Sequence, residues 1–373
     1  MVKILDSTLR EGEQTPGVTF SVNEKIIIAD LLDRFKVDII EAGHPRVSQD
    51  IFQGVKTIAN QGYNAEILAH CRAMKEDIDI ALSCDVDWVG IFFCVSNKRI
   101  EQQFRTNLEK AINKITSTIE YAKEHGLKIR YTPEDAVRTD YKSLVTVSKA
   151  AVKAGADRIS IADTAGSMTP LSMYKLIRRL KRDLDIELNV HCHNDLGLAV
   201  ANALAAFEAG ASLIDVTVNG IGERTGISSL SEICLALHSV YKEKNNWNLE
   251  LIPELSRRVS EFSDIKIPQN APIVGENAFV HNAGLHVAAV LHDPSFYEVF
   301  PAELIGRNRN FVLDKMASIK TIEKKLEQVG VDVCHNNVSR VVNYVKSKEK
   351  GTISDEELLG LFGYRSIEDC MYQ

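Results

Sequence analysis

Hydrophobic and polar positions along this chain follow two alternating rhythms. Eight short apolar runs read as strands: VKILDS (2–7), VDIIEAG (37–43), AEILAHC (65–71), DWVGIFFCV (87–95), LKIRYTPE (127–134), DRISIAD (157–163), ELNVHCHN (187–194) and LIDVTVNG (213–220). Between most of them lie amphipathic stretches such as NEKIIIADLLDRF, LEKAINKITSTIEYAKEHG and YKSLVTVSKAAVKAGA, with apolar residues three and four apart. Gly126, Gly155 and Gly210 stand where C-terminal caps would close three of these helices. Strands apolar on both faces, alternating with helices eight times, predict an α/β fold of the (β/α)8 TIM-barrel type. A doubly wound open sheet is the alternative, but no GxGxxG follows an early strand.

The rhythm changes near residue 250, which divides the chain into a barrel over 1–250, a linker and helical subdomain over 251–330, and a short helical tail over 331–373. SDIKIPQNAPIVGENAF (263–279) is a connection punctuated by Pro and Gly, and ENAFVHNAGLHVAAVL after it reads as helix. Ser354 and Glu357 have the spacing of a capping box before EELLGLFG.

Composition narrows the classes without choosing one. Of 373 residues, 45% are hydrophobic and 25% charged, ordinary values for a globular protein with room for a large core. A net charge of −7 with no basic block argues against nucleic-acid or membrane-surface partners. No apolar run approaches the roughly 20 residues of a membrane span. MVKILDSTLREGEQ enters ordered sequence at once, which leaves no room for a targeting peptide. Seven cysteines without a CxxC pair suit the reducing cytoplasm. Cys71, Cys84, Cys94, Cys192 and Cys234 read as core fillers, and Cys334 and Cys370 as partly exposed.

The chemistry collects at strand ends, where barrels of this kind build their active sites. In order these ends carry Arg10 and Glu11; Glu41 and His44; His70 and Arg72; Arg130, Thr132 and Glu134; Asp163 and Thr164; His191 and His193; Asn219 and Glu223. Asp163 and Asp215 are expected to be structural, tying loops to backbone groups. In NVHCHNDLG (189–197), His191 and His193 share one face of an extended strand and Cys192 points the other way. They read either as half of a metal site or as two solvated histidines at a strand end. With Glu11 across the barrel mouth they would form an open-sided set of O and N donors, suited to Mg²⁺, Mn²⁺ or Zn²⁺. Such an ion polarises a ketone, and Arg10 beside it could stabilise a developing alkoxide.

LDSTLREGEQTPGV (5–18) resembles the opening motif of the homocitrate and isopropylmalate synthases. HCHNDLGLAVANALAAFEAGA (191–211) followed by VNGIGERTG (218–226) resembles their second signature, and the resemblance covers essentially the whole chain. It implies a Claisen-type condensation of acetyl-CoA with a 2-oxo acid, followed by thioester hydrolysis. By resemblance Glu11, His191 and His193 hold the metal, Arg10 contacts the keto group, and Gln14 and Thr164 line the site; Glu41, Arg130 and Thr132 join the substrate-binding set. The base that deprotonates the acetyl methyl maps to His286, assisted by Glu134 and Tyr297; taken bare, His286 would more often be a satisfied core histidine. The segment that carries His286 reaches into a neighbouring subunit in this family, which implies a homodimer.

Three features resemble the homocitrate branch, whose 2-oxo acid is 2-oxoglutarate. No leucine-sensing domain follows; GERTGIS carries Ile227 where isopropylmalate synthases usually have asparagine; and His70 stands where a distal carboxylate needs a partner. ADTAG (162–166) fits the same branch. A loop histidine capping a helix is the plain alternative for His70. The resemblance implies a product bound for lysine biosynthesis through aminoadipate, with nitrogenase-cofactor and coenzyme B routes open. Isopropylmalate, citramalate and citrate-forming relatives are the near alternatives. Hydroxymethylglutaryl-CoA lyases share the barrel, but they use a cysteine in the glycine-rich loop after strand eight, and NGIGERTGISS has none.

Overall fold

All eight apolar runs become strands. The computed structural model describes residues 1–365; Cys370 lies outside them. The strands are β1 (Lys3–Asp6), β2 (Ile39–Gly43), β3 (Glu66–Arg72), β4 (Trp88–Cys94), β5 (Lys128–Glu134), β6 (Arg158–Asp163), β7 (Glu187–Cys192) and β8 (Leu213–Val216). They pair in parallel in chain order, and β8 closes on β1. The expected TIM barrel is the fold. Helices fill the intervals, among them Val22–Phe35, Leu108–Glu124 and Tyr141–Lys153. The first is opened by Ser21 and Glu24 in a reciprocal capping box and buries Ile28, Leu31, Leu32 and Phe35. Gly126, Gly155 and Gly210 take positive φ just beyond their helices.

One device recurs at the N-terminal end of the barrel. Asp38, Asp87 and Asp157 each precede an even-numbered strand. Their carboxylates accept the backbone N–H of Ile4, Ile67 and Ile129 on the preceding odd strand, each at 2.8 Å. Pairs of strands are thereby stapled where the sheet ladder begins and amides would otherwise lack partners.

Alternate residues of each strand face the axis. Leu5, Ile39, Leu68, Trp88 and Leu213 form an apolar plug. One level nearer the C-terminal mouth the inward positions are Ser7, Glu41, His70, Gly90, Arg130, Ser160, Asn189 and Asp215. Bulky branched residues ordinarily dominate a barrel interior; this level is polar and carries charge, and it positions the site.

The barrel unit runs to Ile267, past residue 250, because the helix Ile252–Ser263 packs on Val22–Phe35. A second unit begins at Pro268. Its core, including Leu313, Ile322, Leu326, Val331, Val341 and Leu358, is continuous across position 331, where the sequence suggested a break. Within ENAFVHNAGLHVAAVL a 3-10 turn covers Glu276–Phe279 and the α-helix only Gly284–His292. Val280 and His281 instead extend and pair with Asn310 and Phe311; Phe311 packs on Val287 and Val290 of that helix, and just past the strand Asn282 donates to Asp314 at 2.7 Å. Ser354 accepts the Glu357 N–H and opens Asp355–Gly360. Five cysteines are buried and Cys334 is half-buried. Among the described residues no helix is long and apolar enough to cross a membrane.

The staples generate a prediction. Asp157→Ala strips Ile129 N–H of its acceptor and Lys123 of its ion-pair partner, so it should cost roughly 1–2 kcal/mol. Calorimetry would register this as a lower midpoint for the barrel transition, with substrate KM unmoved. An unchanged midpoint would mean that the amide finds another partner.

Candidate metal centre and active site

Glu11, His191 and His193 each offer a donor atom within 4.8 Å of the others, and all three side chains are buried. Glu11 follows β1 in the turn 7–12, whose N–H groups fold back onto the Ser7 carbonyl. The loop after β8 wraps this carboxylate: Glu223 N–H donates to Oε1 at 2.9 Å. Gly222 lies so close that a Cβ there would come 2.9 Å from Glu11 Cγ. His191 is next to last on β7 and His193 stands just beyond its end, the rings 5.0 Å apart. His191 Nδ1 is 3.0 Å from Asp215 Oδ2, which leaves Nε2, 3.8 Å from Glu11, for a ligand.

The protonation states suit a cation. Burial raises the Glu11 carboxyl, but Arg10 and the two histidines outweigh it and hold it at about 2. Burial, reinforced by His191, pulls His193 down to about 4, so the ring is neutral and able to coordinate. His193 Nδ1 is buried with no partner in the protein. A carboxylate, an imidazole oriented by a second carboxylate, and a buried imidazole with a free nitrogen fit a divalent ion.

Below this triad lies a charged lattice. Glu41 is fully buried; its oxygens are taken by Ser7 Oγ, Arg10 Nε at 2.8 Å, Arg130 Nη2 at 2.7 Å and His70 Nδ1 at 3.1 Å. Expected to touch substrate, Glu41 instead sits beneath the cavity wall, because these four groups leave no oxygen free. Burial opposes its charge, but Arg10 and Arg130 hold it well below the usual carboxylate range. An ionised Glu41 must accept from His70, so Nδ1 carries the ring proton. Burial, with Arg10 nearby, lowers His70 to about 4, and at neutral pH its Nε2 is therefore a bare acceptor.

Arg130 reaches the axis from β5. Its second arm meets Asp215 at 3.3 Å and Asn189 at 3.5 Å. Gly90 on β4 gives it room: a Cβ there would lie 3.1 Å from Arg130 Nη2. Asp215 thus orients His191 of the candidate triad and neutralises a buried guanidinium, where a loop-tying role was expected. Asp163 does tie its loop, accepting from Ser167 and Met168 N–H.

A cavity of about 330 Å³ opens above this lattice, lined by Arg10, Glu11, Gln14, His70, Arg130, Thr132, Glu134, Thr164, His191 and His193. Phe92 and Ser160, not anticipated, line it too, and Phe92 stacks on His70 at 4.4 Å. Gln14 accepts from Arg10 at 3.0 Å, and Thr164 Oγ1 accepts Asp135 N–H at 2.9 Å. Glu134 is paired with Arg99 at 2.6 Å. His44 and Arg72 share Asp77. Arg224 clamps Asp195 and the Thr164 carbonyl, joining the loops after β6, β7 and β8. In the second unit His286 and Tyr297 stack with ring centroids 4.2 Å apart.

Residues 1–259 match the HMGL-like family, and residues 273–352 match the homocitrate synthase post-HMGL domain-like family. The chain is 51% identical to the homocitrate synthase of Pyrococcus abyssi over 347 residues, 93% of this chain and 95% of that one. It is 44% identical to homocitrate synthase AksA of Methanothermobacter thermautotrophicus, over 96% of this chain and 92% of that one. A probable 2-isopropylmalate synthase of Methanopyrus kandleri is also 44% identical, over 92% of this chain and 69% of that one. Among solved structures the HMG-CoA lyase of Bacillus subtilis superposes with a TM-score of 0.63 at 18% identity, over 72% of this chain and 95% of that one, a likeness of fold. The chain belongs to the HMGL-like family, in the branch that carries a homocitrate synthase post-HMGL domain.

Proposed function

We propose that this chain is an acyltransferase that condenses acetyl-CoA with 2-oxoglutarate and hydrolyses the thioester, giving homocitrate and CoA. The observation that carries the reading is one cavity holding a three-donor cation site at its rim and a buried arginine in its wall. A divalent ion held by Glu11, His191 and His193 would supply Lewis-acid polarisation of the ketone. Arg10, fixed by Glu41 and Gln14, donates to the keto oxygen as negative charge grows there. Thr164 and Gln14 line the near end. Arg130 and Thr132 face the far carboxylate with a guanidinium Nε and a hydroxyl that have no partner in the protein. His70 flanks them; its Nδ1 is taken by Glu41, so its Nε2 donates only when the ring carries a second proton.

His286 takes the proton from the acetyl methyl, with Tyr297 and Glu134 assisting. The second unit works in a homodimer, contributing its histidine and tyrosine to the barrel of a partner copy. Support comes from its exposed apolar side chains, Leu285, Phe296, Tyr297 and Val299. Mg²⁺, Mn²⁺ or Zn²⁺ as the ion, a cytoplasmic location and lysine biosynthesis through aminoadipate as the destination belong to the same proposal.

Two relatives' reactions fit less well. A branched aliphatic 2-oxo acid, as isopropylmalate synthesis needs, would leave Arg130 Nε and Thr132 Oγ1 unpaired. A lyase cysteine is lacking: Cys234 is buried in Leu230–Leu235, and burial raises its thiol well above the usual range.

Release of CoA thiol should be greatest with 2-oxoglutarate among 2-oxoglutarate, 2-oxoisovalerate, pyruvate and oxaloacetate, and EDTA should abolish it. Highest turnover with 2-oxoisovalerate would replace the substrate and keep the mechanism. Asp215→Asn should weaken metal binding about 10- to 100-fold in direct titration, because His191 loses its orienting carboxylate; unaltered affinity would sink that role. His286→Ala should lower kcat by about 10²–10⁴ while 2-oxoglutarate still binds. Loss of binding instead would mark it as a packing residue.

A further inference from the structure

We propose that Ser160 is a specificity-determining residue whose hydroxyl completes the grip on the far carboxylate of the substrate; this rests on the dicarboxylate reading above. The case begins with parity. On β6, Ile159 and Ile161 pack outward, while Ser160, paired with Asn189, and Ala162, paired with His191, face the axis. Ser160 is 1% exposed, and its Oγ has no partner in the protein. A buried hydroxyl left unpaired is costly, so its persistence points to a ligand that satisfies it. Other buried serines share that condition, Ser148 and Ser228 among them, but Ser160 also lines the cavity.

Its neighbours show which ligand. Tyr131 pairs with Ile159, so the next step of the β5–β6 ladder sets Thr132 opposite Ser160. Thr132 Oγ1 and Arg130 Nε are likewise unpartnered, and both residues line the same cavity. Three groups able to donate and lacking acceptors therefore sit together on adjacent strands, and three acceptor-hungry groups call for an anion. Net charge favours neutral donors here, because Arg130 is already matched by Glu41 and Asp215. Two hydroxyls let the wall hold a second carboxylate without another buried cation. Ala162, the next inward residue of β6, has no polar side-chain atom to contribute.

The test compares 2-oxoglutarate with 2-oxovalerate, which carries a methyl in place of the far carboxylate, in the parent, Ser160→Ala and Ser160→Gly. Each is assayed by kcat/KM in the acetyl-CoA condensation, or by Ki against 2-oxoglutarate where turnover is too slow. Losing a hydrogen bond to a charged group should raise KM for 2-oxoglutarate roughly 10- to 100-fold. The preference for 2-oxoglutarate over 2-oxovalerate should fall by the same factor, with most of the change in KM and little in kcat. Agreement between the alanine and glycine variants, both with the parent's melting behaviour, excludes misfolding as the cause. Equal losses on both acids would assign Ser160 to the 2-oxo end and overturn the inference, as would no loss on either. A parent that prefers 2-oxovalerate would overturn the dicarboxylate reading itself, and this inference with it.

Discussion

A charge inside the barrel governs this molecule. Arg130 carries a guanidinium to the axis at a level where most barrels place branched aliphatics. Such a charge is tolerable only when fully paired, and here Glu41 and Asp215 take its two arms. Their pairing dictates the rest of the level: Asn189 supports Asp215, Ser7 and Arg10 share Glu41, and Gly90 withholds a side chain. The stability of the barrel lies elsewhere, in the apolar plug, the outward strand faces and the aspartate staples.

This lattice joins the two ends of the proposed reaction. From His70 a path of hydrogen bonds runs through Glu41, Arg130 and Asp215 to His191. The residue proposed to flank the far carboxylate and one that would hold the cation are four contacts apart, and the three beyond His70 are buried. The candidate cation site and the proposed grip on substrate are therefore shaped by the same carboxylates. Few positions on this path could change without both ends feeling it.

Much of this was legible in the chain itself. Alternation of short apolar runs with amphipathic segments gives the barrel because both periods are local properties. Ionisable residues at strand ends point to the mouth for the same reason. Depth is another matter. Glu41 and His70 look equivalent in sequence, yet one lies beneath the wall and the other in it, and only closure of the barrel decides which. Ser160 and Asp215 meet Thr132 and His191 only across a neighbouring strand, so nothing local in the sequence sets them in the site. Their partners come from other strands, and no spacing along the chain encodes those. The two-residue strand at Val280–His281 is too short to carry any period, and the helix Ile252–Ser263 has nothing local to say which unit it joins.

Gly90 illustrates how absence can be inherited. Any other amino acid there brings a Cβ into the space of a guanidinium that has nowhere else to go without abandoning two carboxylates. A side chain at this position would have to push against Leu68 and Arg130 together, so a change here is felt inside the lattice before it is felt anywhere else. The lattice thus depends on an address that contributes no side chain of its own.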